Sequence, residues 1–459
     1  MKTLIYGGRL IDPANRVDGR LNMLIEDGKV ADVTRDMPQA DRLINAEGKI
    51  VCPGFVDIHM HEDPIEPDGR IYSDTGKAIF NCMLRMGVTT AVGGNCGLSC
   101  CNPADYLDIV DRDGAAVNVA MLAGHAWFRE HAGATDRYGR TTAAQRAQMH
   151  EEIADCLRRG CFGVSYGIRY VPGLDEEELL ETASPCRDYG RLIAAHIRSD
   201  ADEVFDSERE LLEIGRRLGI PVQVSHIGSM AGFGQMEEFL RIADEYRLRG
   251  LDVSCDCYPY YAFSTTLGST TYDDGWMGRY GCGYDAVELC EGEYKGQRCT
   301  KEICIRDRFK KVRREMPGCL TVCYVMRERD VDLALRHPNV MLASDGIMSH
   351  GQGHPRAAGA FPRLIAQFVR TGKLGMYEAV NMMTAMPADR LGLASKGRLN
   401  VGADADVVVF DPEKISDCAS FSEPVLPPVG IDCVLIGGEI AAKDCRIVDP
   451  RLGRSVRKV

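Results

Sequence analysis

The sequence predicts an α/β fold: a TIM-like (β/α)8 barrel with a small composite β-sandwich formed from both chain ends. Three observations lead there. From about Val56, apolar strand-like runs alternate with amphipathic helical stretches, the pattern of βαβ units on a parallel sheet. More than five such units favour a closed barrel over an open doubly wound sheet. On either side, residues 1–54 and 397–459 read as short strands with turn punctuation, so the two ends are expected to fold together.

The elements follow in order. "TLIYGGRLID", "LNMLIEDGKVADV" and "LINAEGKIVCPG" are strands, with hairpin turns expected at Gly7-Gly8, Asp27-Gly28 and Glu47-Gly48. Within the barrel region, 55–396, "GVTTAVGG" is a strand. "RAQMHEEIADCLRRG" is an amphipathic helix stopped by Gly160 and followed by the strand "CFGVSYG". The helical "DEEELLETASPCRDYG" leads to "RLIAAHIRS", "SERELLEIGRRLG" to "IPVQVSHIG", and "GQMEEFLRIADEYRLRG" to "LDVSCDCYP". Residues from about 265 to 322 break this rhythm and read as a lid-like insertion. The strand style returns in "GRLNVGADADVVVFD" and "GIDCVLIGGEIAAKD".

Composition excludes several classes. The 459-residue chain has a formal net charge of −12 with acidic and basic residues interspersed, which argues against nucleic acid or a membrane as partner. No run approaches the roughly 18 apolar residues of a membrane span, and the N-terminus lacks a signal-peptide core. The 19 cysteines are therefore read as reduced thiols of a cytoplasmic protein. There is no phosphate-binding glycine motif.

The chemistry gathers where apolar strands stop. His59 and His61 in "PGFVDIHMHED" are two apart, so both imidazoles point to one side of a strand end. His196 ends "LIAAH", His226 ends "PVQVSH" and Asp345 ends "VMLASD". Ligands of α/β barrels bind at the C-terminal strand ends, and imidazole suits zinc. Together these residues predict a mono- or binuclear metal site with Asp345 as its acid/base group.

These motifs carry a resemblance. "LIYGGRLIDP", "PGFVDIHMH", "GVTTAVGGNCG", "GHAWFR", "GVSYGIRYVPG", "AHIRSD", "VSHIG", "CYPYYAFST", "HPRAAGAFPR" and "GRLNVGADADVVVFDP" together resemble the amidohydrolase superfamily. Within it the chain looks like the D-aminoacylase, or N-acyl-D-amino-acid deacylase, family. The resemblance implies zinc at a barrel mouth and hydrolysis of the amide bond of N-acyl-D-amino acids by metal-activated water. Cys96, His196 and His226 match the ligands of a tightly held zinc. His59, His61 and Asp345 match a weaker, optional second position, with Cys96 able to bridge. Asp345 also matches the catalytic acid/base. Arg356, with Tyr258 and Ser264, is implied in holding the carboxylate of a small-molecule substrate, the one partner expected besides a homo-oligomer that the sequence leaves open.

The sequence also departs from the family. No lysine lies between Lys77 and Lys295, so a bridging carboxylated lysine is disfavoured and the Cys96 thiolate is expected to supply the anionic ligand. Gly228 stands where the family commonly has a lysine, while Tyr166 and Arg169 stand where the family tends to have smaller or different residues. Both are expected near the substrate, Arg169 either replacing the lysine for a carboxylate or binding an acidic side chain. Cys100 and Cys101 match no ligand position and are expected to pack as buried apolar residues. His125 and Arg129 are expected either at the pocket or in a structural role. His350 and His354 are placed in a glycine-rich loop beside Asp345. The alternatives are an amidohydrolase acting on D-dipeptides or a cyclic amide, a non-catalytic scaffold, and thiol catalysis at Cys96.

Overall fold

The computed structural model describes residues 1–74, 76–298 and 306–458. Eight parallel strands ring its centre: β1 (Phe55–Asp57), β2 (Val88–Gly93), β3 (Asn118–Met121), β4 (Gly163–Gly167), β5 (Leu192–His196), β6 (Val222–Val224), β7 (Val253–Cys257) and β8 (Val340–Leu342). β1, β2 and β3 pair in parallel order, as do β4 through β8. Ala123–Gly124, just past β3, pairs with β4. A parallel bridge between Met60 and Gly346 joins the residues that follow β1 and β8. The barrel is the expected TIM-like one.

The helices between strands start and stop where their chemistry dictates. Helix Ala143–Arg158 opens on a capping box: the Thr142 hydroxyl accepts from Gln145 N, and the Gln145 side chain accepts from Thr142 N. Helix Val204–Leu218 ends on Gly219, whose φ of 67° is the left-handed cap that glycine adopts without steric cost. Each helix buries its apolar stripe on the barrel, and the all-buried strands β2, β4 and β5 are covered on both faces.

Both chain ends build the β-sandwich. One sheet is N-terminal, ordered Lys29–Thr34, Asn22–Glu26, Lys2–Tyr6, Arg42–Asn45. The other has seven strands, in which the C-terminal Val407–Phe410 pairs with the N-terminal Ile50–Pro53. Of the three turns read as hairpins, only Asp27-Gly28 joins paired neighbours. Gly7-Gly8 and Glu47-Gly48 instead carry the chain from one sheet to the other. A side chain at Gly8 would strike Val51 at 2.7 Å, which is why the crossover is made there by glycine. Phe55 locks sandwich to barrel: its ring stacks on Phe361 at 5.5 Å and contacts Phe410 at 6.4 Å. The last residues leave the sandwich and run along the barrel, where Ser455 pairs with Val119.

The insertion after β7 is more regular than its sequence suggests. Phe263–Thr266, Leu320–Cys323 and Val287–Leu289 form an antiparallel sheet, so the structured excursion begins before residue 265. Residues 299–305 of the expected lid lie outside the described residues. Among the described residues, no helix is long and apolar enough to cross a membrane.

One buried group gives the fold a pH dependence. Glu208, on the inner face of helix Val204–Leu218, is 0% exposed and neither carboxyl oxygen has a hydrogen-bond partner. Burial pushes its carboxyl up to about 10, so the folded protein keeps it protonated. The unfolded chain releases that proton near about 4.3, so stability falls as pH rises from there towards the folded value. The loss reaches about 4 kcal/mol by pH 7. Glu208→Gln, with no proton to lose, should narrow the Tm difference between pH 5 and pH 8. An unchanged difference would mean that other groups carry it.

Candidate metal centre at the barrel mouth

The strand ends converge as the barrel geometry requires. His59, Cys96, His226 and Asp345 are all buried, and one ligand-competent atom from each lies within 4.8 Å of the others. Cys96 Sγ is 3.2 Å from His226 Nε2 and 3.4 Å from His59 Nε2. Asp345 Oδ1 is 3.5 Å from His59 Nε2 and 3.4 Å from His61 Nε2. His196 stands beside this group, its ring centroid 4.6 Å from that of His226, and both of its ring nitrogens are buried without a hydrogen-bond partner. All six residues expected at the metal site are thus brought together. An imidazole buried with two idle nitrogens is costly unless something occupies them.

The backbone is bent to make this possible. Cys96, His226 and Asp345 have φ of 54°, 33° and 47°, a conformation that non-glycine residues hold only when the surroundings enforce it. For Cys96, Asn95 Nδ2 donates to Val92 O at 2.9 Å, and Glu62 accepts from Gly94 N at 2.8 Å and from Cys100 N at 3.1 Å. At the other two turns, Asp256 Oδ1 accepts from His226 N at 2.7 Å and His59 O accepts from Asp345 N at 2.8 Å. Asp256 serves twice, since the same Oδ1 faces His59 Nδ1 at 3.4 Å. A carboxylate behind a ligating histidine sets its orientation and tautomer. Asp256, Glu62 and Asn95 were not singled out by the sequence. Asp256 had a usable signal, because it too is a polar residue near the end of an apolar strand.

Electrostatics favour a cation. Burial alone would raise the Cys96 thiol, but His59 and His226, with His196 close by, hold it well below its ordinary value. Burial likewise opposes ionisation of Asp345, and Arg356 and His226 overcome it, keeping the carboxyl well below the usual carboxylate range. Two buried anions among imidazoles form a donor set suited to a divalent ion.

The residues implied for substrate divide into two groups. Arg356 is 1% exposed, its Nη1 is 2.9 Å from Asp345 Oδ2, and its guanidinium lies 4.5 Å over the Tyr258 ring. Its Nε and Nη1 make no aligned hydrogen bond, and neither does the buried Ser264 Oγ. Ser264 lines a small cavity that also touches His196, His226 and Asp345. These residues lie at the site.

Tyr166 and Arg169 differ from expectation. Tyr166 alternates with the inward Ser165 on β4 and so points outward, its hydroxyl 3.0 Å from Thr182 and its ring 5.1 Å from His125 in the helix layer. Arg169 is held 3.6 Å from Asp200, and its Nη2 donates to Thr270 O at 3.4 Å. His125 and Arg129 are structural, both lying 3.0 Å from the buried Glu178. His354 caps the chain before helix Arg356–Leu364, accepting from Arg356 N at 3.1 Å, and His350 is exposed. Cys100 is exposed and Cys101 partly so, against the expectation of buried packing, because the loop that carries them turns away from the core after Gly97.

A closed parallel barrel with imidazole, thiol and carboxylate donors at its strand ends defines a metal-dependent hydrolase of the amidohydrolase type. Two models described as "Amidohydrolase family" match residues 50–214 and 305–442. An N-acyl-D-glutamate deacylase of Alcaligenes xylosoxydans xylosoxydans is 32% identical, covering 95% of this chain and 92% of that protein. A D-aminoacylase of the same organism is 31% identical, covering 95% and 93%. The crystal structure of an N-acyl-D-glutamate deacylase from Bordetella bronchiseptica, complexed with zinc and a phosphonate mimic of the tetrahedral intermediate, superposes with a TM-score of 0.88. It is 30% identical and 99% of each chain is covered. The chain belongs to the amidohydrolase superfamily and, within it, to the D-aminoacylase family.

Proposed function

We propose that this protein is a zinc-dependent deacylase that hydrolyses the amide bond of N-acyl-D-amino acids. One observation carries the reading: in a chain of this family, donors from His59, Cys96, His226 and Asp345 converge within 4.8 Å at the barrel mouth. The mixture of thiolate, imidazole and carboxylate suits zinc. Cys96, His196 and His226 would hold the tight ion, and His59, His61 and Asp345 a weaker one that shares Cys96. Zinc bound there would supply Lewis acidity, making water more acidic and the amide carbonyl more electrophilic.

The chain's own residues do the rest. Asp345, kept ionised by Arg356, would take the proton of the attacking water and return it to the departing amine. Arg356, whose buried Nε has no partner, would hold the α-carboxylate, with Tyr258 beneath it and Ser264 in the cavity wall. The insertion supplies Phe263, Ser264, Thr265 and Thr271 to that wall and so limits access of bulk water.

Arg356→Lys keeps the charge but loses the planar fork. It should lower kcat/KM on the best N-acyl-D-amino acid by about tenfold or more. An unchanged value would remove Arg356 from carboxylate binding. The function is tested with a panel of N-acetyl-D- and N-acetyl-L-amino acids, D-dipeptides and cyclic imides. Preference for the N-acetyl-D compounds is expected, and preference for any other group would overturn the reading.

A further inference from the structure

The cavity shows what it accepts beside the α-carboxylate. Its charged lining residues, apart from histidines, are Asp200 and Asp345, and no lysine or arginine lines it among the described residues. Asp345 follows β8 and faces Arg356. Asp200 follows β5, three strands away round the ring, and lines the cavity together with Met230 and Thr271.

Asp200 is 3% exposed. Its Oδ2 accepts a hydrogen bond from the Tyr280 hydroxyl, while Oδ1 is buried with no hydrogen-bond partner. The nearest cation, Arg169, keeps its Nε 3.6 Å from that oxygen, beyond hydrogen-bond length. Arg169 is also anchored at its backbone, where its carbonyl accepts from the Thr270 hydroxyl at 2.7 Å. It therefore offsets part of the charge of Asp200 without presenting a cation to the cavity. Gly228 offers none either, and a Cβ there would already meet Cys257 Sγ at 3.0 Å and Met326 Cε at 3.1 Å.

We propose that Asp200 reads the substrate's side chain, selecting N-acyl-D-amino acids whose side chains donate a hydrogen bond and rejecting acidic ones. The inference rests on the deacylase reading above. A buried acceptor with no partner gains from a donor and is left unpaired by an analogue that lacks one. A second carboxylate brought to it meets like charge in a poorly solvated site. Although an N-acyl-D-glutamate deacylase is among its relatives, this chain would disfavour D-glutamate.

The test compares N-acetyl-D-glutamine with N-acetyl-D-glutamate, equal in length and differing in amide against carboxylate, on the zinc-loaded protein. The native kcat/KM ratio should favour glutamine by about 100-fold or more. Asp200→Asn should bring that ratio below about tenfold, with zinc content confirming that the variant is folded. A native protein that cleaves the glutamate compound as well as the glutamine one overturns the proposal, and that comparison needs no variant. An unchanged ratio in a folded, zinc-loaded Asp200→Asn also overturns it. Cleavage of D-glutamate in preference leaves the deacylase reading standing, whereas failure to cleave any N-acetyl-D-amino acid removes both.

Discussion

Replacing Asp345 with asparagine is expected to lower kcat by about 10³ or more while the tight metal remains bound. Asparagine has nearly the same size and still places an oxygen near His61 and Arg356, which now lie 3.4 Å and 2.9 Å from the carboxylate. What it cannot do is accept a proton. Arg356 gives Asp345 a second sensitivity, because the guanidinium is what keeps this buried carboxyl ionised. Elemental analysis beside steady-state kinetics separates the roles. Bound zinc with lost turnover is the expected pair, and near-native kcat would remove Asp345 from proton transfer.

Cys96→Ser should weaken metal binding by about 100-fold or more, a larger loss than removal of an outer partner usually brings. The thiol sits among His59, His196 and His226, which together hold it well below its ordinary value. A serine hydroxyl at the same place stays neutral, so the group keeps its imidazoles but loses its anion. No lysine between Lys77 and Lys295 is available to replace that charge. Chelator competition measures the affinity directly. Native affinity in the variant would show that the histidines and Asp345 suffice.

Much of this was legible because barrels put their chemistry in a place that sequence marks. In the barrel, His59, His196, His226 and Asp345 each close an apolar run, and each came to the mouth. Positions governed by side-chain direction were harder. Tyr166 is one residue from the inward Ser165, and the period of two in a strand turned it to the helix layer. Cys100 and Cys101 have an apolar composition but lie on a polar loop clamped by Glu62, and burial is decided by that loop's path. The insertion looked irregular because its strands are short and pair with distant partners, as Phe263 does with Cys323. Asp256 and Asp200 were passed over for another reason. Asp256 carried the strand-end signal, but its role behind His59, like that of Asp200 in the cavity wall, is set by neighbours remote in sequence.

The proposed activity is a metal-dependent, D-selective deacylation. It is tested most directly by stripping the protein with chelator and titrating zinc back while following N-acetyl-D-methionine and its L-enantiomer. No hydrolysis is expected without metal, with D-enantiomer hydrolysis rising with the first equivalent of zinc and L-enantiomer rates at about 1% of these or below. Full activity in the stripped protein, or equal rates on the two enantiomers, would contradict it.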